Sequence, residues 1–251
     1  MIQLGQPNNS WRVSRNEVNL CRDIPREAWA FAAHPQDLTM NLRTSAVVII
    51  DMQNDFCAKG GWLDTIGVPI DAAREPIGPL NPLLTFARNR EIPVIWVNWG
   101  NRVDKLNVSP STLHVYNPDG KSIGLGDPLP ANGSPVLEKG GWGAAIVDGL
   151  SVDNRDIFVD KFRMSGFWDT PLDSILRNLG ITSLLFAGVN MDQCVMATLQ
   201  DANFLGYDCI LLTDCSATTS PAYCRDATIY NVKQCYGFVT TSEAFVNGKR
   251  R

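Results

Sequence analysis

Histidine is scarce in this chain of 251 residues: there are two, His34 and His114, and neither has a second histidine or a cysteine at ligand spacing. That pattern argues against a transition-metal site and against a Cys-His dyad, and no metal or other cofactor is expected. Cys-x-x-Cys pairs are missing too. The seven cysteines, at 21, 57, 194, 209, 215, 224 and 235, are odd in number in a chain long enough to fold without staples. They read as reduced thiols in a cytoplasm. Positive charge is not in excess: 22 lysines and arginines stand against 26 acids, a net charge of -4 that offers no basic face to nucleic acid. The terminal Lys249-Arg250-Arg251 is expected to be a frayed, solvated tail. No apolar run approaches the roughly 18 residues of a membrane span. The N-terminus has no basic segment followed by an apolar run, so neither membrane insertion nor secretion is expected.

What is present is enough apolar material for a large core, 45% of residues, with 19% charged. Residues 1–44 are polar and lack a sustained period, which suggests an N-terminal arm wrapped on a domain or a partner subunit. From Ser45 to residue 251 a single domain is expected, with strands and helices alternating. Strands are expected at 45–51, 92–97, 156–160, 183–189, 208–213 and 237–241. Helices are expected near 73–90, 142–149, 171–179, 194–205 and 222–234. This rhythm predicts an α/β fold with a parallel sheet covered on both faces. The helix at 171–179 carries its own signals: Thr170 as N-cap, Pro171 at the first position, Asp173 in the first turn and Gly180 as the stop. Residues 98–135, rich in Asn, Pro, Gly and Ser, show no element, and a loop of that length in a compact domain is usually functional or disordered.

Several motifs carry nothing. Asn117-Pro-Asp-Gly-Lys-Ser122 lacks the first glycine of a phosphate loop, and Gly124-Leu-Gly126 lacks the third glycine of a dinucleotide fingerprint. Lys-Gly-Gly-Trp occurs at 59–62 and 139–142, but nothing around the copies matches, so coincidence of turn residues is the simpler reading.

Three strand ends carry chemistry. Asp51 follows Ser45-Ala-Val-Val-Ile-Ile50, Lys161 follows Asp156-Ile-Phe-Val-Asp160, and Cys194 opens a helix after Ser183-Leu-Leu-Phe-Ala-Gly188 and a polar turn. Strand C-termini of a parallel sheet share one edge, so acid, amine and thiol can meet there. The positive end of a helix would favour a thiolate at Cys194. Each residue also has a plain structural reading: a small core side chain, a turn-capping acid, a strand-end amine reaching solvent. From the residues alone both readings stay open.

Val48-Ile-Ile-Asp-Met-Gln-Asn-Asp-Phe-Cys57, the Lys161 strand end and Gly188-Val-Asn-Met-Asp-Gln-Cys-Val195 resemble the three signature segments of the isochorismatase-like cysteine hydrolases. The resemblance spans roughly residues 44 to 246 and is strongest toward the ureidoacrylate amidohydrolase branch, then biuret hydrolases. Phe162–Arg177 and Gly237–Phe245 carry much of it. It implies a three-layer α/β/α fold with a six-stranded, mostly parallel sheet and a catalytic triad of Asp51, Lys161 and Cys194. It also implies a cis peptide from Val189 to Asn190, backbone N–H groups of Asn190 and Cys194 as oxyanion donors, and homodimers or homotetramers. The implied activity is metal-independent cleavage of a small linear amide or ureido substrate through a Cys thioester. Phe56-Cys-Ala-Lys-Gly-Gly-Trp-Leu-Asp64 lacks the metal-binding histidines of the nicotinamidase branch, and Cys194 itself argues against true isochorismatases.

Departures from the ureidoacrylate branch concern the substrate. Asn190, Met191 and Gln193 occupy variable places of the nucleophile turn, Met164 stands where that branch has tyrosine, and Asn98-Trp-Gly-Asn101 replaces Asn-Gly-Trp. Candidate substrate-binding residues are therefore Phe56, Trp99, Asn101, Met164 and Gln234, and only one of Trp96 and Trp99 should face the site by alternation. The alternatives are another amidase, a carbamate or biuret hydrolase, or a non-catalytic scaffold that keeps the fold.

Overall fold

The architecture was obtained as a computed structural model that describes residues 1–251. Its centre is a six-stranded sheet in the order Phe238–Thr240, Asp208–Ser216, Ser183–Gly188, Ser45–Ile50, Val94–Trp99, Ile157–Lys161, with every pair parallel. Ser45–Ile50, Val94–Trp99 and Ser183–Gly188 are buried along their whole length. That explains their unbroken apolar runs: a strand covered on both faces has no polar side to alternate with. Helices cover the sheet in a three-layer α/β/α arrangement. Ile77–Asn89 buries Leu80, Leu83, Leu84 and Ala87, and Leu172–Leu179 buries Leu172 and Leu176. The latter stops at Gly180, in the left-handed region at φ 70 as its role as a helix stop requires.

The chain enters the sheet at Ser45–Ile50, runs outward through Val94–Trp99 to Ile157–Lys161, then returns to the other side of the first strand at Ser183–Gly188. The order reverses between those two strands, and such a switch point leaves a crevice at the strand C-termini. Asp51 and the Cys194 turn both emerge there.

Several expectations need correction. Residues 1–44 are not one arm. Ile2–Gln6, Asn9–Val13 and Val18–Asn19 form a small antiparallel sheet with mostly exposed side chains. Ala28–Phe31 and Leu38–Asn41 instead join the body, with Trp29 and Phe31 in the core beside Phe86 and Phe245. The basic tail is not frayed: Lys249–Arg250 pairs with Ala28–Phe31 and closes that second sheet. The stretch near 142–149 is a run of turns, because Gly140 and Gly141 precede it and Gly143 and Gly149 lie within it, with Gly140 and Gly149 at positive φ. The loop 98–135 holds a helix, Pro110–Tyr116, started by Ser109, whose hydroxyl accepts from the Thr112 N–H at 3.3 Å. The helix near 73–90 is split at Pro76, and those near 194–205 and 222–234 each include a wide π turn, Met191–Val195 and Val232–Tyr236.

Candidate active site

The three strand ends converge. Lys161 Nζ lies 2.9 Å from Asp51 Oδ2 and 3.3 Å from Cys194 Sγ, and it donates to the Arg163 carbonyl at 3.2 Å. Lys161 is fully buried, and Asp51 and Cys194 are almost so, at 1% and 3% exposure. Each is placed by its strand: Lys161 is the last residue of Ile157–Lys161, and Asp51, at φ 54, follows Ile50 while donating its N–H to Val97 O at 3.1 Å. The Asp51–Lys161 pair at 2.9 Å is a charge pair withdrawn from water.

Burial raises the Asp51 carboxyl above the usual carboxylate range, against the opposing pull of Lys161. Burial also pushes the Cys194 thiol up to about 12, with Lys161 opposing and Asp51 adding to the rise. The thiolate expected from a helix terminus is thus corrected. Cys194 sits inside the π turn Met191–Val195, ahead of the helix Met196–Phe204, and burial there is the largest cause of its raised pKa. Asp51, Lys161 and Cys194 thus form one buried cluster in which the amine contacts both the acid and the thiol.

The nucleophile turn has the Val189–Asn190 peptide in the cis form. Met191 N–H donates to Ala217 O at 2.8 Å, and Gln193 and Val195 N–H donate to Asn190 O at 3.1 and 3.2 Å. None of these three bonds uses the N–H groups of Asn190 or Cys194. Gly188, at φ +114, lets the turn lie against the neighbouring strand, since a Cβ there would stand 1.9 Å from Ile50 O.

Of the candidate substrate-binding residues, Met164 Sδ is 3.6 Å from Cys194 Sγ. Trp99 sets its ring over Lys161, 4.1 Å from ring centroid to Nζ, whereas Trp96 donates Nε1–H to Asp156 Oδ2 at 2.9 Å, away from the triad. Phe56 begins an aromatic row that runs through Trp62 at 6.3 Å and Tyr116 at 4.7 Å to Trp99 at 5.3 Å. Asn101 is buried with both Oδ1 and Nδ2 unpaired, as is Trp99 Nε1. Gln234 stands exposed on the turn Val232–Tyr236, which packs on the helices Ala222–Asn231 and Met196–Phe204.

Reading the sequence missed Trp62, Tyr116 and Asp55. Burial raises the Tyr116 hydroxyl well above its ordinary range, with Cys194 and Asp51 adding to the rise, which places it within reach of the site's field. The Ser109-Pro110 pair was the available signal for the helix that carries it. Asp55 is a buried carboxylate that accepts from Trp62 N–H at 3.2 Å and Leu137 N–H at 2.7 Å. Asn54 Nδ2 donates to Trp142 O at 2.9 Å. The two Lys-Gly-Gly-Trp turns, unrelated by duplication, therefore close on the same Asn54-Asp55 segment. No group of three or more His, Cys, Asp and Glu side chains is arranged to hold a metal ion.

Residues 45–244 match the isochorismatase domain. The chain belongs to the isochorismatase family. Family relatives include the ureidoacrylate amidohydrolase RutB of Klebsiella variicola (strain At-22), 35% identical over 216 residues, 85% of this chain and 90% of that one. RutB of Stutzerimonas stutzeri (strain A1501) is 33% identical over 85% of this chain and 86% of its own length. Among solved structures, an isochorismatase family protein from Desulfovibrio vulgaris is 28% identical at a TM-score of 0.66, covering 80% of this chain and 96% of its own. A cysteine hydrolase from Pseudomonas syringae pv. phaseolicola shares the fold, at a TM-score of 0.70 and 23% identity over 82% and 92% of the two chains. The family's three-layer hydrolase fold is the one described above, and the three signature segments named from the sequence fall inside the matched residues. No helix is long and apolar enough to cross a membrane.

Proposed function

We propose that this isochorismatase-family protein is a cysteine amidohydrolase that cleaves a linear amide or ureido C–N bond of a small molecule through a thioester on Cys194, without a metal. The observation that carries the reading is the buried Lys161 ammonium in contact with both Asp51 and Cys194. A charge pair and a thiol withdrawn together from water serve nucleophilic catalysis; a strand-end amine of merely structural use would reach solvent.

In this mechanism Asp51 takes the thiol proton as the sulfur attacks the carbonyl carbon, and Lys161 steadies the charge that develops on sulfur. The N–H groups of Asn190 and Cys194 receive the oxyanion, each supplying roughly 3 to 4 kcal/mol to the transition state. Asp51 returns the proton to the leaving nitrogen, the C–N bond breaks and a thioester remains. Water, deprotonated by the same carboxylate, then cleaves the C–S bond, giving the acid and restoring the thiol.

The similarity to ureidoacrylate amidohydrolases supports an amide or ureido substrate. Asn101 supports it chemically, since a buried amide with donor and acceptor both unpaired matches the donor and acceptor of an amide or urea. Met164, Phe56 and Trp99 supply apolar surface for the substrate's body. Gln234, exposed and apart, has no place in this reading. Seven unpaired cysteines suit a reducing cytoplasm, and the exposed N-terminal sheet suits assembly into a homodimer or homotetramer.

Ammonia release from a panel of amides and ureido compounds, measured on the wild type and Cys194→Ala, tests the reading. The wild type is expected to turn over at least one member, and the variant to lose about 1000-fold or more. Equal activity would overturn the nucleophile assignment, and inactivity of both would favour a scaffold. Exhaustive chelation should leave the rate unchanged.

A further inference from the structure

Lys161 has three N–H bonds, no access to water and three polar neighbours: Asp51 Oδ2 at 2.9 Å, Arg163 O at 3.2 Å and Cys194 Sγ at 3.3 Å. A further side of the ammonium is covered by the indole face of Trp99, with its centroid 4.1 Å away. The juxtaposition follows from sheet register. Trp99 and Lys161 are directly paired as the last residues of adjacent parallel strands, so their side chains leave on the same face.

Trp99 is itself held firmly. The Gln53 side chain clamps its backbone from both directions, accepting from Trp99 N–H at 2.9 Å and donating to Trp99 O at 2.8 Å. Tyr116 meets its ring edge-on at 5.3 Å. Gln53 lies two residues beyond Asp51, so one buried amide ties the acid's segment to the strand end that carries the indole. An ammonium removed from water loses hydration, and an aromatic face replaces part of it without competing for the N–H bonds that Asp51 and Cys194 need.

We propose that Trp99 is a positioning residue whose ring face centres the Lys161 ammonium between Asp51 and Cys194, rather than simply a wall of the substrate pocket. The consequence for catalysis rests on the cysteine mechanism above, but the geometry can be tested without substrate.

The test is alkylation of Cys194 by iodoacetamide as a function of pH, read by mass spectrometry of the peptide containing Cys194, in Trp99→Phe, Trp99→Leu and Trp99→Met. Unfolding midpoints are measured in parallel. Trp99→Phe keeps an aromatic face and is expected to alkylate within about threefold of the wild type. Trp99→Leu and Trp99→Met, which lack the face, should alkylate roughly tenfold more slowly at a fixed pH, with the profile moved to higher pH. If Trp99→Leu fails to fold, Trp99→Met, with its flexible side chain, carries the comparison. Wild-type reactivity in the non-aromatic variants overturns the proposal, as does an equal loss in Trp99→Phe. Because alkylation needs no substrate, a failure of the amidohydrolase reading would show only in the turnover panel and leave this result standing.

Discussion

Asp51 and Lys161 meet at 2.9 Å from the ends of two strands separated in the sheet by Val94–Trp99, and neither side chain touches solvent. Each charge would be costly to bury alone, and together they form a neutral pair whose loss on one side strands the other. Cys194 lies 3.3 Å from the Lys161 ammonium, and burial pushes its thiol up to about 12.

Asp51→Asn separates the two roles of the carboxylate. Hydrolysis should fall by about 1000-fold or more, since the proton has no acceptor. Thiol reactivity should move the other way: Asp51 raises the Cys194 pKa while Lys161 lowers it, so removing the acid brings the thiol below about 12. Iodoacetamide alkylation of Cys194 at pH 8 checks this, and slower labelling in the variant than in the wild type would contradict it.

Asp55 makes a pH-dependent contribution to stability. Burial raises its carboxyl to about 6 from an ordinary value of 3.8, only partly offset by the N–H groups of Leu137 and Trp62. The folded protein then holds a proton that the unfolded chain has released, so stability from this group is full below pH about 4 and is lost as pH rises through about 6. A tenfold change in proton affinity is worth about 1.4 kcal/mol, so roughly 3 kcal/mol is at stake between the folded and unfolded carboxyl. Chemical denaturation from pH 4 to 7 should show a smaller fall for Asp55→Asn than for the wild type, and parallel curves would rule the assignment out.

Gly188→Ala tests the approach of the nucleophile turn to the central strand. A methyl group 1.9 Å from Ile50 O, on a residue at φ +114, cannot be placed without moving one strand end. A loss of at least about 2 kcal/mol is expected, with the Cys194 turn displaced. An unchanged denaturation midpoint would show that the two strand ends are looser than described.

The N-terminal region should divide under truncation. Removing residues 1–26 takes away a sheet of mostly exposed side chains whose contacts with the body include Asn8 and Asn9, which donate to the Arg43 and Arg177 carbonyls, and it also removes Pro25 O, which accepts from Asn41 Nδ2. The unfolding midpoint should move by only a few degrees. Trp29→Ala should cost about 3 to 5 kcal/mol. The Trp29 ring is buried 5.5 Å from Phe86, and its Nε1–H donates to Phe245 O at 2.8 Å. Size-exclusion chromatography of the truncated protein also reports whether the exposed sheet serves assembly.

The strands were legible because burial on both faces writes itself into consecutive residues: Ala46–Ile50 and Leu184–Ala187 need no context to be read. The expected ends lie within about two residues for most strands, so Asp51 and Lys161 could be assigned to one edge from local pattern. The helices were less legible wherever glycine or proline decided the outcome. Gly140-Gly141 and Gly143 broke an apolar stretch that has helical spacing, and Ser109-Pro110 started a helix inside a segment that otherwise reads as loop.

The sequence by itself determined the parallel α/β class and the three strand ends that carry acid, amine and thiol, because those properties follow from local pattern, and the family was legible only as a resemblance of signature segments. The tertiary structure alone decided that Lys161 touches both Asp51 and Cys194, that Trp99 rather than Trp96 faces Lys161, and that residues 28–41 belong to the body while Gln234 stands exposed on its turn. These depend on distances and desolvation between residues far apart along the chain, which side-chain periodicity within one element does not encode.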